Sequence, residues 1–182
     1  MRGRVTRFVT LLTLMLAGAG LIDASALAQE KAKGAVITMQ KGGEIQIEFF
    51  PEDAPKTVEN FVKLASQGFY DGQFFHRVDP GFVVQVGDPQ SKTLKPGAPG
   101  LGTGGPGYTI KAEFNKRPHD RGVVAMARTQ DPDSAGSQFY ITLGPANFLD
   151  GKYTVFGKVV SGMNVVDSIK VGDRIASIKI VK

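Results

Sequence analysis

The 182-residue chain has no cysteine, no tryptophan and only two histidines, His76 and His119. Without a thiol there is no disulfide, no thiolate metal site, no cysteine nucleophile and no lipidated cysteine. Two histidines in separate segments are a poor basis for a metal centre, which draws several ligands together. The chain also lacks a basic stripe, its lysines being scattered from Lys31 to Lys182, and it carries no recognisable nucleic-acid motif. What is present is an ordinary globular balance, 42% hydrophobic and 21% charged, with enough residues for one domain to bury a core unaided.

The start of the chain reads differently from the rest. Arg2, Arg4 and Arg7 precede a largely apolar run from Phe8 to Ile22, and Ala26-Leu27-Ala28 places small residues at −3 and −1 of a cleavage site. The apolar run is short of the ~20 residues that span a bilayer, and Asp23 closes it. The pattern predicts a signal peptide over 1–28, cleavage after Ala28, and export to the periplasm or beyond with no stable membrane association. The mature domain is then 29–182. Losing three Arg and one Asp changes 22 basic and 17 acidic residues to 19 and 16, a net charge of +3.

Along that domain, Ala35 to Met39 and Glu44 to Phe50 flank Gln40-Lys41-Gly42-Gly43, a hairpin pattern. Ile45, Ile47 and Phe49 alternate with Glu44, Gln46 and Glu48, so one face is buried and the other wet. Pro55 suits a first helical turn. Val58, Phe61, Val62 and Ala65 then repeat with helical spacing until Gly68. Two strands broken by Asp79-Pro80-Gly81 follow, then a long loop dense in Gly and Pro over 90–107. Short strands are expected at 108–114, 122–127, 138–143, 153–160 and 175–181, with a second helix over 163–169. Many short strands, Gly-rich turns and two helices predict a mainly β barrel or sandwich.

Several motifs invite a chemistry that their surroundings do not support. Gly100-Leu101-Gly102-Thr103-Gly104-Gly105 satisfies G-x-G-x-x-G, but no strand precedes it and no helix starts on it, so a loop with unusual dihedrals is expected. Ser137, His76 and Asp88 supply the types of a hydrolase triad without a nucleophile elbow, and His76 is expected to be a satisfied structural histidine. Asp131 and Asp133 flank Pro132 as turn formers do. The remaining oddity is Arg77 and Gln85 inside the apolar stretch FFHRVDPGFVVQVGDP, near Phe82, Phe139, Tyr140, Phe148 and Tyr153. Arginine is almost never fully buried unless paired.

That stretch resembles the cyclophilin signature F-H-R-x-x-x-G-F-x-x-Q-x-G-D. Further blocks follow in the family's order: GTGG at 102–105, AEF at 112–114, VAMAR at 124–128, GSQFYI at 136–141 and FLDGKYTVFGKV at 148–159. The resemblance runs from about Ala35 to the C-terminus. It implies a closed eight-stranded antiparallel β-barrel capped by two α-helices, and a peptidyl-prolyl cis-trans isomerase that needs no cofactor and no metal. Its partners are then proline-containing polypeptides; oligomeric state is left open by the sequence, with a monomer the default expectation. The alternative is a chaperone or peptide-binding module that uses the same groove, with catalysis incidental.

By position, the resemblance makes Arg77 the catalytic donor and Gln85 its orienting neighbour. Phe82, Val83, Tyr140, Leu149 and Tyr153 become the proline pocket, Ala127, Arg128 and Gln138 the peptide groove, and Phe148 the rim. The sequence departs from the family's common residues at several places. Val83 replaces Met, Val86 Gly, Arg128 Asn, and Phe148 the Trp of many eukaryotic members. Tyr140 and Tyr153 stand where Phe and His are common, bringing hydroxyls that need partners. Because cyclosporin contacts the Trp position in the family, weak binding is expected here.

Overall fold

The computed structural model describes residues 32–182, so the expected signal peptide and its cleavage after Ala28 lie outside the described residues. The first hairpin forms as its alternation requires. β1 (Gly34–Met39) pairs antiparallel with β2 (Glu44–Phe49), whose Ile45, Ile47 and Phe49 are buried while Glu44, Gln46 and Glu48 are exposed. Gly42 and Gly43 hold φ of 90° and 92°, which lets the Met39 N–H reach the Gly43 carbonyl at 3.0 Å.

The first helix, α1 (Pro55–Ser66), begins on proline and buries Val58, Phe61, Val62, Leu64 and Ala65. It stops where Gly68, at φ 66°, lets the N–H groups of Gly68 and Phe69 bond back to Ala65 and Leu64. Its start carries no local side-chain cap. The carboxylate of Glu113, from the AEF block, does that work from far along the chain. It accepts the N–H of Lys56 at 3.0 Å, the N–H of Thr57 at 2.8 Å and the Thr57 hydroxyl at 2.7 Å.

The remaining strands are β3 (Arg77–Asp79), β4 (Val83–Val86), β5 (Val123–Met126), β6 (Phe139–Thr142), β7 (Val155–Ser161) and β8 (Ile175–Val181), with α2 (Met163–Asp167) between the last two. They form one eight-stranded antiparallel sheet in the order β3-β4-β6-β5-β7-β2-β1-β8, curled around the core. The sheet's concave side and α1 enclose the main cluster. Phe61 is its hub, with ring centroids 5.3 to 5.5 Å from Phe49, Tyr70, Phe139 and Phe156. The period-two alternation of strands sends the intervening residues of β4, β5, β6 and β7 outward. There Val83, Val123, Ala125, Tyr140 and Val155 form a second apolar cluster, against which Phe82, Leu149 and Tyr153 pack.

Two expectations are corrected. The sheet is not closed into a barrel by a ladder, because β3 and β8 are its two edges. Gly72, at φ 76°, bends the approach to β3 and leaves only residues 72–75 to meet 172–175, through the Phe74–Arg174 bridge and backbone bonds around it. The strand expected over 108–114 shrinks to one bridge, Ile110 to Ala135. Side chains take the neighbouring donors: Ala112 N–H goes to Asp133 at 2.9 Å and Glu113 N–H to the Thr154 hydroxyl at 2.9 Å, so no ladder extends. Val86, which stands where the family commonly has Gly, is fully buried in the main core.

Candidate active site

The sheet register places the unusual polar residues in one row. Arg77 pairs with Gln85 across β3 and β4, Gln85 with Tyr140 across β4 and β6, and Tyr140 with Ala125 across β6 and β5. Side chains of a row lie on the same face, so Arg77 and Gln85 meet over the second apolar cluster. The charge does not enter the core, since the Arg77 side chain is 48% exposed on an edge strand. The environment is apolar below and open above.

Hydrogen bonds hold the guanidinium still. Asp79 accepts from Nε at 3.0 Å and from Nη2 at 2.5 Å, and the Gln85 side-chain oxygen accepts from Nη1 at 3.3 Å. The guanidinium carbon lies 5.7 Å from the Phe82 ring centroid. Behind it, the Gln85 amide donates to Gln138 at 2.9 Å, and the Gln138 amide donates to the carbonyls of Gly102 and Gly104 at 2.9 and 2.8 Å. The glycine loop itself is cradled by Asp88, whose carboxylate accepts the N–H groups of Gly102 and Gly104. Gly102, at φ 90°, is one of the residues with the expected unusual dihedrals.

A cavity of about 380 Å³ opens beside this network. Val83 and Tyr140, both nearly inaccessible, form its floor. Phe82, Leu149 and Tyr153 wall it, and Arg77, Gln85, Ala127, Arg128 and Phe148 complete its lining. Phe148 is 64% exposed and tilts against Phe82 with centroids 5.5 Å apart, a rim position. Arg128 spends its donors on the carbonyls of Thr129, Gln130 and Lys152 and lies 4.5 Å over the Tyr153 ring. Ten of the eleven residues expected from the sequence thus line one cavity. Gln138 instead lines the adjoining groove of about 490 Å³, which shares Gln85, Ala127 and Arg128.

The sequence matches the cyclophilin-type peptidyl-prolyl cis-trans isomerase/CLD family model over residues 35–182. The chain belongs to the cyclophilin-type isomerases. A probable peptidyl-prolyl cis-trans isomerase of Brucella abortus is 46% identical over 165 residues, covering 86% of this chain and 84% of that one. Peptidyl-prolyl cis-trans isomerase B of Bacillus subtilis is also 46% identical, over 144 residues, covering 78% and 94%. Among solved structures, a Cryptosporidium parvum cyclophilin superposes with a TM-score of 0.71 at 29% identity, over 83% of this chain and 98% of the other. The same isomerase crystallised in the presence of the dipeptide Ala-Pro gives a TM-score of 0.69 at 30% identity, over 82% and 99%. The chain is therefore an enzyme, a peptidyl-prolyl cis-trans isomerase.

Within this cyclophilin-type frame the expectation of a satisfied His76 is corrected. His76 is not satisfied, for neither ring nitrogen reaches solvent or a hydrogen-bond partner. Burial lowers its pKa from the usual value, against the opposing pull of the Asp88 carboxylate. Ser137 turns its hydroxyl to the Gly87 carbonyl at 2.6 Å, and Asp88 caps a short turn at Gln90, so the three residues form no relay. His119 is the satisfied one, fully buried between Asp150 and Tyr140. It answers the question of the Tyr140 hydroxyl, which lies 3.0 Å from His119 Nε2. Asp79 and His119 are the site residues that sequence reasoning missed. Asp79 looked like part of a turn, although its two-residue spacing from Arg77 on a strand puts both side chains on one face.

Proposed function

We propose that the cavity seats the prolyl ring of an X-Pro segment and that Arg77 accelerates rotation by donating a hydrogen bond to the prolyl nitrogen. The barrier to rotation, roughly 18–20 kcal/mol, comes from amide resonance. In the twisted transition state the nitrogen loses conjugation and gains a lone pair that the planar ground state does not offer. A donor aimed there acts on the transition state alone, which is the condition for raising turnover.

Arg77 suits this role because it stays charged at every relevant pH. Of the five N–H groups of a guanidinium, three are held by Asp79 and Gln85, leaving two for the cavity. The apolar floor contributes a second effect, since the charge-separated resonance form is poorly solvated against Val83 and Tyr140. Bringing exchange from tens of seconds to below a millisecond requires about five powers of ten, or roughly 7 kcal/mol. One donor supplies about 3–4 kcal/mol, so fixing the proline against the walls must supply the rest.

The observation that carries this reading is the single row of Arg77, Gln85 and Tyr140 over one apolar cavity. The test is exchange of a short proline peptide by wild type and Arg77→Ala. A loss in kcat/KM of about a hundredfold or more, roughly 2.7 kcal/mol, is expected. Unchanged exchange would remove Arg77 from the role. Substrates are unfolded or loop-exposed X-Pro sites in exported proteins, the chain acting as a monomer beyond the cytoplasm after cleavage at Ala28. N-terminal sequencing of the exported protein checks that site.

A further inference from the structure

We propose that His119 is a positioning residue for the prolyl pocket: its imidazole joins Tyr140 of the pocket floor to the loop that carries Phe148, Leu149 and Tyr153. The inference rests on reading the cavity as the prolyl pocket. His119 lies in the segment just before β5, fully buried, and touches neither bulk solvent nor the cavity. Its backbone N–H donates to Asp150 Oδ1 at 2.7 Å, and its carbonyl accepts the Ala146 N–H at 2.8 Å. Both ends of the Phe148-Leu149 turn are therefore fastened to one residue.

The ring adds the connection to the sheet. Nδ1 lies 2.9 Å from Asp150 Oδ1, and Nε2 lies 3.0 Å from the Tyr140 hydroxyl. The imidazole stacks on Tyr140 at 6.1 Å between centroids and meets Tyr153 edge-on at 6.5 Å. Tyr140 and Tyr153 are themselves edge to face at 5.9 Å. Three rings thus form one block behind the cavity.

The chemistry of the partners fixes the protons. The backbone and side-chain donors of His119 hold the Asp150 carboxyl below its ordinary pKa, so the carboxylate only accepts. Nδ1 therefore carries the proton. The Tyr140 hydroxyl, pushed up chiefly by burial and then by Tyr153, keeps its own proton and donates it to Nε2. The hydroxyl that replaces the family's plain phenyl edge is consequently turned away from the substrate. The cavity keeps an aromatic face and offers no competing hydrogen bond to the planar amide. Losing the tie frees the floor and the loop wall and leaves a buried polar atom unpaired, which harms ring seating before it harms rotation.

The test combines nitrogen NMR on the wild type with kinetics of His119→Phe, Tyr140→Phe and the double variant. The expected spectrum shows His119 as the Nδ1–H tautomer with a slowly exchanging Tyr140 hydroxyl proton. Each single variant should raise KM by about fivefold, the scale of one lost neutral hydrogen bond, with a smaller change in kcat. The double variant should lose less than the product of the two singles. An Nε2–H tautomer, multiplicative losses, or a fall in kcat at constant KM would overturn the proposal, and the NMR result holds even where a variant misfolds. Wild type that turns over no proline peptide would instead overturn the pocket reading itself.

Discussion

Arg77→Lys separates the charge of Arg77 from its geometry. Lysine keeps the cation but replaces a planar fork by a point charge on a flexible stem. In the native side chain, Asp79 holds two donors and Gln85 a third, so the remaining N–H groups are directed rather than free to turn. An ammonium at this position meets Asp79 first, because that carboxylate lies on the same strand face, two residues away. Paired there, it is withdrawn from the prolyl nitrogen. If orientation supplies most of the ~3–4 kcal/mol of one donor, the lysine variant loses about 2 kcal/mol, or some thirtyfold in kcat/KM. KM should move little, since the ground-state amide offers the donor nothing to bind. The assay is exchange of a proline peptide at several concentrations, separating kcat from KM. Lysine activity within threefold of wild type would refute the reasoning, since charge alone would then suffice.

Glu113→Ala should lower stability by about 1–2 kcal/mol, because it strips the N-terminus of α1 of its only side-chain acceptor among the described residues. The denaturant midpoint reads this, and an unshifted midpoint would contradict it. His76 has a folded pKa below its unfolded value, chiefly through burial. The unfolded chain therefore binds the proton first, and stability is lost as pH falls below about 6.5. His76→Gln should flatten this slope between about pH 5 and 7, and an identical slope in both proteins would rule the residue out. Cyclosporin should bind weakly, with Phe148 at the rim in place of the family's Trp, and nanomolar inhibition would refute that.

How much of this was legible beforehand differs by element. The β1–β2 hairpin and α1 could be read directly, because alternation and the 3,4 spacing reflect burial on one side of a regular element. The segment 108–114 could not. Its residues have strand character, but the donors of Ala112 and Glu113 find side chains that arrive from residues 133 and 154. No local pattern records such a competitor. The open edges β3 and β8 were equally hidden, since whether a sheet closes depends on how the approaches to its outer strands bend.

The site divides in the same way. By itself the sequence determined the family, through a set of blocks in one order, and singled out the candidate pair, a guanidinium and an amide eight positions apart in an apolar stretch. Register decided that Arg77, Gln85 and Tyr140 share one row, because pairing across β3, β4 and β6 depends on turns far from any of them. The tertiary structure alone decided what Asp79 and His119 touch. A histidine is read as satisfied or orphaned only from what surrounds its nitrogens, and those neighbours come from other segments. His76 and His119 are the same side chain in one chain. Packing left the first without a partner and set the second between a carboxylate and a hydroxyl.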